Sequence, residues 1–167
     1  MAKTGEAVPS LRFRHTKGNQ LRATTAELVQ AALKQIGIDV TIDVTETLGK
    51  TLSTHDFDMI IFAWVGSPLF QGPAEQNWLT GGGGNYGLYT NAEVDKLVKA
   101  GATNFDLDKA AESLNEADAI MSKDAYVLPI AQKPTLTATY ENWVNIRDNA
   151  TQWSPTYNVD EWGQKAL

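Results

Sequence analysis

The chain has 167 residues, 43% hydrophobic and 20% charged, with a formal net charge of −6 and no cysteine. That is the composition of an ordinary folded domain, long enough to bury a core. The 14 basic residues are scattered rather than clustered, which argues against a nucleic-acid partner, and the absence of cysteine excludes disulfides, cysteine-zinc sites and thiol catalysis.

Residues 1–10 are polar and read as an added start or a linker, with no apolar stretch of the kind a secretory signal needs. Leu11–His15 alternates apolar and polar residues and predicts a short half-buried strand; Lys17-Gly18-Asn19 is a turn. A helix follows, with Leu28, Val29, Ala32, Leu33 and Ile36 as its apolar stripe and Gly37 as its left-handed end, onto which Ile38 packs back. Ile38, Val40, Ile42 and Val44 then alternate with Asp39, Thr41, Asp43 and Thr45, a strand with one wet face. Glu46–Ser53 reads as a short helix or loop. The unbroken apolar run from Met59 to Trp64, stopped by Gly66-Ser67-Pro68, predicts a strand buried on both faces. This order requires an α/β layer with at least one crossover, and the expected architecture is a mixed sheet flanked by helices.

Ser67–Tyr89 is rich in glycine and proline and reads as a long mobile loop, with Gly81–Gly84 its most flexible part and a short helix within Ala74–Leu79. Thr90-Asn91-Ala92-Glu93 has the spacing of a capping box, opening a helix with Val94, Leu97 and Val98 inward. Asp106 starts another, striped by Leu107, Ala110, Leu114, Ala117, Ile120 and Met121. Tyr126–Ala131 and Thr135–Tyr140 read as strands. The tail after Glu141 holds Trp143, Trp153 and Trp162 without an evident core.

Most reactive-looking residues fit bland roles better. A phosphate-binding loop needs a Lys-Ser/Thr pair after its glycines, whereas Gly81–Gly84 leads into Asn85-Tyr86. His15 and His55 lie in no metal-ligand spacing and read as surface or turn residues. Asp56 and Asp58 flank Phe57 at the start of a strand and read as a solvated edge. Ser67 lacks the Gly-x-Ser-x-Gly context of a nucleophile. No catalytic residue, metal ligand or cofactor is assigned. Trp64 differs, because it ends a strand where α/β sheets gather ligands and a glycine-rich loop follows it, although an aromatic residue there also fits a core role.

Taken in order, several segments carry a resemblance: Leu11-Arg12-Phe13; Ala26-Glu27-Leu28-Val29-Gln30; Leu33-Lys34-Gln35-Ile36-Gly37-Ile38-Asp39-Val40; Phe57-Asp58-Met59 through Trp64-Val65-Gly66; Tyr89-Thr90-Asn91-Ala92-Glu93-Val94-Asp95-Lys96-Leu97; and Tyr126-Val127-Leu128-Pro129-Ile130. Over residues 11–131 the chain resembles the C-terminal lobe of the extracellular solute-binding proteins of the peptide/nickel class, which feed ABC importers. The resemblance implies one lobe of a two-lobed clamshell, with residues 11–133 as the lobe and 134–167 as a tail that crosses the hinge to pack on a first lobe. It implies capture of a peptide or peptide-like solute without catalysis, delivery to a membrane permease, and an extracellular or periplasmic place with the full-length protein, a lipoprotein, anchored to a membrane. A monomer is expected.

The resemblance also places ligand contacts at Trp64, Val65, Gly66 and Ser67, with Asn85 and Tyr86 closing over the ligand. The position matching Ser67 is commonly an aspartate that pairs with the ligand's amino terminus; serine here points to an N-blocked, cyclic or other solute, unless Asp56 or Glu75 supplies the charge. Two other readings stand beside this one: a protein–protein docking domain using the tryptophan-rich tail, and a small hydrolase using Asp56 or Asp58 with His15 or His55.

Overall fold

The structure is a computed structural model describing residues 10–67, 69–149, 151 and 153–165. The leading segment up to residue 9 and Pro68 of the Gly-Ser-Pro turn lie outside the described residues. The chain divides into two compact units, the first ending at Trp64 and the second beginning at Val65.

The first unit is β1 (Ser10–Thr16), α1 (Gln20–Gln35), β2 (Asp39–Thr45), α2 (Leu48–Ser53) and β3 (Met59–Ile60), the order the hydrophobic periods predict. The sheet is parallel, in the order β2-β1-β3, with Phe13 in register with Ile42 on one side and Met59 on the other. Alternation sends Phe13 and His15 inward, where Phe13 joins Val40 and Ala26 of α1, flanked by Leu11, Val29, Leu33, Ile38, Ile42, Met59 and Ile61. The Asn19 side chain caps α1, its Oδ1 accepting the Arg22 N–H at 3.1 Å. At the other end Gly37 has φ +82°, and the amides of Gly37 and Ile38 donate to the carbonyls of Lys34 and Leu33. Ile38 packs back as expected.

Four expectations in this unit are corrected. The inward face of α1 is Ala26, Val29 and Leu33, while Leu28 is 67% exposed and Ala32 and Ile36 also face outward. The small Ala26 lets the helix lie close on Phe13, and close approach outweighs the larger apolar side chain a few positions on. In β2 the alternation breaks at its end: Val44 is exposed and Thr45 is buried, its hydroxyl 2.8 Å from that of Thr51 on α2. His15 is a buried strand residue, its Nδ1 3.1 Å from the Thr16 carbonyl oxygen, whereas His55 sits exposed at positive φ in a turn.

The predicted doubly buried strand is the fourth correction. Only Met59 and Ile60 form β3, at the sheet edge, extended by an Ile61 N–H to Arg14 carbonyl bond of 3.0 Å. Residues 59–62 are half-buried and 63–67 exposed. An apolar run states which side chains favour burial, not how many strands lie beside them.

The second unit holds α3 (Gln71–Trp78), α4 (Ala92–Ala102) and α5 (Leu107–Lys123) around Ala74, Val94, Val98, Leu114, Ala117 and Met121. Asp106 caps α5 through the amides of Asp108 and Lys109. The cap of α4 is Asn91, whose Oδ1 accepts from the amides of Glu93 and Val94, rather than a box of Thr90 and Glu93; Asn91 holds the cap position itself, one residue later than the box would place it. Leu107 is exposed, outside the stripe it was expected to join.

No strand forms over Tyr126–Ala131 or Thr135–Tyr140, because no described strand pairs with them. The tail has more structure of its own than its sequence suggested. β4 (Trp143–Val144) and β5 (Gly163–Gln164) pair antiparallel across a 3-10 helix, Ser154–Glu161. The rings of Trp143 and Trp162 meet edge-on at 6.2 Å. Buried Asn158 ties the tail together: its amide donates to the Asn145 carbonyl at 2.7 Å, and its Oδ1 accepts the Trp162 indole N–H at 3.1 Å.

Candidate functional site

The first unit orders its strands so that β1 lies central, its crossover through α1 leading to β2 on one side and the next connection leading to β3 on the other. The carboxyl ends of β1 and β3 are therefore where the connections diverge, the place where open α/β sheets form their crevice. Trp64 leaves the sheet there. It is 51% exposed, and its ring meets the Phe62 ring edge-on at 5.2 Å. Lys17, after β1, pairs with Glu46, after β2, at the same end of the sheet.

The carboxylates weighed as catalysts lie before β3, away from Trp64, and are occupied. Asp56 receives Arg12 at 2.9 Å and Arg14 at 2.7 Å, one guanidinium on each oxygen, and Arg14 also reaches Asp43 at 2.7 Å. Asp58 accepts the main-chain amide of Arg12 at 2.7 Å. The hydrogen bond from Arg12, supported by the charge of Arg14, holds the Asp56 carboxyl below its ordinary range. A carboxylate so stabilised is a weak base, and Asp56 is equally withdrawn from pairing with a ligand amine. Glu75 is exposed on α3. Among the described residues no three histidine, aspartate or glutamate side chains gather as a metal site.

The second unit opens with Val65, Gly66 and Ser67, all exposed. Gly66 makes a parallel β-bridge to Thr151. Nothing in the sequence marked Thr151, which lies in irregular chain and is set by an Asn149 Oδ1 that accepts its amide at 2.8 Å.

Asn85 and Tyr86, expected to close over a ligand, are differently placed from each other. Tyr86 is half-buried, whereas Asn85 is 4% exposed and its side chain is saturated. Its amide donates to the carbonyls of Leu79 (3.0 Å) and Tyr89 (2.7 Å), and its Oδ1 accepts from the Tyr89 N–H (3.0 Å) and the Tyr126 hydroxyl (2.8 Å). Two donors and two lone pairs are the whole capacity of the group. Tyr126 stacks on Tyr89 at 4.6 Å, and burial raises the pKa of its hydroxyl. Burial, then the bond its hydroxyl donates to Asp124 at 2.7 Å, raises that of Tyr89.

The glycine run is not the open loop its composition suggested. The amides of Gly82 and Gly84 donate to the carbonyls of Leu79 and Gln76, winding the run onto the end of α3. A separate hollow of about 300 Å³ lies in the tail, walled by Tyr140, Trp143, Ile146, Pro155 and Trp162 among others.

Residues 2–87 match the profile described as bacterial extracellular solute-binding proteins, family 5 Middle. The oligopeptide-binding protein OppA of Mycobacterium tuberculosis is 24% identical over 124 residues, 72% of this chain and 21% of that protein. Among solved structures, the periplasmic EDTA-binding protein EppA superposes with a TM-score of 0.83 at 23% identity, over 96% of this chain and 30% of its own. The oligopeptide-binding protein AppA from Bacillus subtilis, in complex with a nonapeptide, superposes with a TM-score of 0.72 at 21% identity, over 99% and 35%. The chain thus spans between a fifth and about a third of the length of these proteins, and the two structures show a shared fold. With half its length matched by the profile, the chain belongs to the bacterial extracellular solute-binding proteins, family 5.

Proposed function

We propose that this chain is the part of an importer receptor that holds an extracellular peptide or peptide-like solute, without catalysis, for delivery to a membrane permease of the ABC class. Trp64 packs on the ligand, the main chain of Val65 and Gly66 bonds to it by strand addition, and Ser67 meets one ligand end. Tyr86 closes over it, and Asn85 serves by holding the loop that carries Tyr86. The receptor works outside the cytoplasmic membrane, anchored to it.

The observation that carries this reading is the exposed stretch Trp64–Ser67. In the first unit Trp64 is half exposed with Phe62 edge-on to it, and in the second the main chain already takes β-pairing at Gly66. The relatives support the ligand class, since OppA is described as binding oligopeptides and AppA is seen with a nonapeptide. The tied state of Asp56 supports a ligand end that does not need a buried carboxylate.

The test is an NMR titration of this chain with pools of short peptides bearing free or acetylated amino termini, read on its five indole N–H signals. The expected result is selective movement of Trp64 with weak affinity, because most of a clamshell's length is absent from this span. Trp64→Ala, made in the longer receptor, is expected to lower peptide affinity at least about tenfold while the protein stays folded; unchanged affinity would overturn the site.

A further inference from the structure

Thr151, the bridge partner of Gly66, is held on three sides. Its N–H donates to the Asn149 Oδ1 at 2.8 Å, its carbonyl accepts the Ser154 N–H at 3.0 Å, and its hydroxyl oxygen accepts the Trp153 N–H at 3.3 Å. Asn149 is itself steadied, its N–H donating to the Asp148 Oδ1 at 2.9 Å. Side chains rather than a regular element thus fix the point at which Gly66 is paired.

That commitment decides which groups carry the bridge. In a parallel bridge one residue of the pair turns both its N–H and its C=O to the facing strand. The Thr151 N–H is spent on Asn149, so the residue that does so is Gly66. Successive residues of an extended strand send their main-chain groups to opposite edges. Val65 and Ser67 therefore present theirs to the edge away from Thr151. A peptide added along that edge, in either direction, gives an N–H to the Val65 carbonyl.

We propose that Asn149 is a positioning residue for ligand binding: by holding the Thr151 amide it fixes Gly66, and through Gly66 it aims the main-chain groups of Val65 and Ser67 at a peptide backbone. This rests on Val65, Gly66 and Ser67 being the ligand's strand, and it narrows that role, since Gly66 serves by anchoring while its two neighbours make the contact. Asn149 itself touches no ligand. A single bridge is all the β-pairing this stretch has, and a stretch left to order only on binding would lose affinity to the cost of that ordering. Asn149 removes the cost in advance.

The test is a cycle in the longer receptor, read by isothermal titration. The probes are the tightest-binding acetylated tetrapeptide of the pools and its ester forms, each with one amide N–H replaced by oxygen. In the parent, one ester position is expected to bind about threefold to tenfold more weakly than the all-amide peptide, marking the N–H that meets the Val65 carbonyl. Asn149→Ala is expected to weaken the all-amide peptide by a similar factor and to shrink the cost of that ester below about twofold, because the carbonyl is no longer held for it. Asn149→Gln, which keeps an amide but carries its oxygen one methylene too far, is expected to behave as Asn149→Ala does. Asn149→Asp keeps the acceptor at the same reach and is expected to bind within about twofold of the parent. An equal loss for amide and ester peptides in the Ala or Gln variant would make Asn149 a purely structural residue and overturn the proposal. Unchanged affinity in those variants, no recovery in Asn149→Asp, or a parent indifferent to every ester overturns it too. A parent that binds no peptide at all overturns the ligand reading, and this inference with it.

Discussion

The Tyr126 hydroxyl donates to the Asn85 Oδ1 at 2.8 Å, joining residues 41 positions apart and closing the long glycine-rich loop onto the chain that leaves α5. The hydroxyl also accepts the Gly87 N–H at 3.3 Å. Asn85 therefore organises its loop from inside. Asn85→Ala removes four hydrogen bonds, depriving the Tyr89 amide and carbonyl of their Asn85 partner while Leu79 keeps the Gly82 amide and Tyr126 the Gly87 amide, and is expected to destabilise the second unit by about 2–4 kcal/mol. Urea unfolding followed by tryptophan fluorescence measures it. A variant with unaltered midpoint but weaker ligand binding would instead make Asn85 a direct ligand contact.

The glycine run offers a sharper contrast between neighbours. A Cβ at Gly82 falls well inside contact distance of the Gln76 carbonyl oxygen, a main-chain atom that cannot move aside, while a Cβ at Gly83 meets nothing within 4 Å. Gly82→Ala is expected to cost about 1–3 kcal/mol through that overlap. Gly83→Ala is expected to be neutral or to stabilise by up to about 1 kcal/mol, by reducing the freedom of the unfolded chain. Thermal melts of the two variants separate a packed turn from the flexible tether the composition suggests; equal effects would favour the tether.

What the sequence made legible follows from the range of the interactions involved. Gly37 and Asp106 act within one helical turn, and Val94 and Val98 repeat at one helical period, so each could be read locally. The succession β1-α1-β2-α2-β3 rests on the same short-range periods. The rotation of α1 onto Ala26 depends on Phe13 in another strand, and the role of Asn85 depends on Tyr126; neither partner is marked by spacing. Tyr126–Ala131 shows the converse failure, since β-propensity marks a strand without supplying the neighbour that would make it one. At the candidate site, the end of the third strand near Trp64 was legible from the apolar run and its glycine stop, but the exposure of Trp64 was not, since that run predicted a strand buried on both faces. The Gly66–Thr151 bridge was not, because it joins residues far apart through irregular chain.

Asp56 gives a pH dependence with a defined sign. Its carboxyl is held below its ordinary value of 3.8, chiefly by the Arg12 hydrogen bond. A group whose folded pKa is depressed adds stability above its unfolded pKa and loses it as pH falls through the folded one. The first unit is therefore expected to keep this contribution at neutral pH and to shed it below about pH 4. Asp56→Asn is expected to flatten the acid limb of a plot of urea midpoint against pH while retaining the fold. An acid limb as steep as the parent's would show that other carboxylates set it.

Ser67 carries the question of what end of a ligand this site accepts. A hydroxyl accepts a hydrogen bond from an ammonium group, but it cannot neutralise one that has left water. Asp56 is already shared between Arg12 and Arg14 and is poorly placed to do so in its stead. Peptides with acetylated amino termini are accordingly expected to bind a receptor carrying this segment at least as well as those with free termini. Ser67→Asp is expected to reverse that order, strengthening free-amine peptides by about 1.5–3 kcal/mol, roughly tenfold to a hundredfold, through a charge-assisted bond. Acetylated peptides are expected to gain nothing from the same change, or to lose affinity by facing a carboxylate with no partner. Isothermal titration of both peptide sets against both proteins forms a closed cycle. If the preference does not shift, Ser67 does not meet the ligand's amino end.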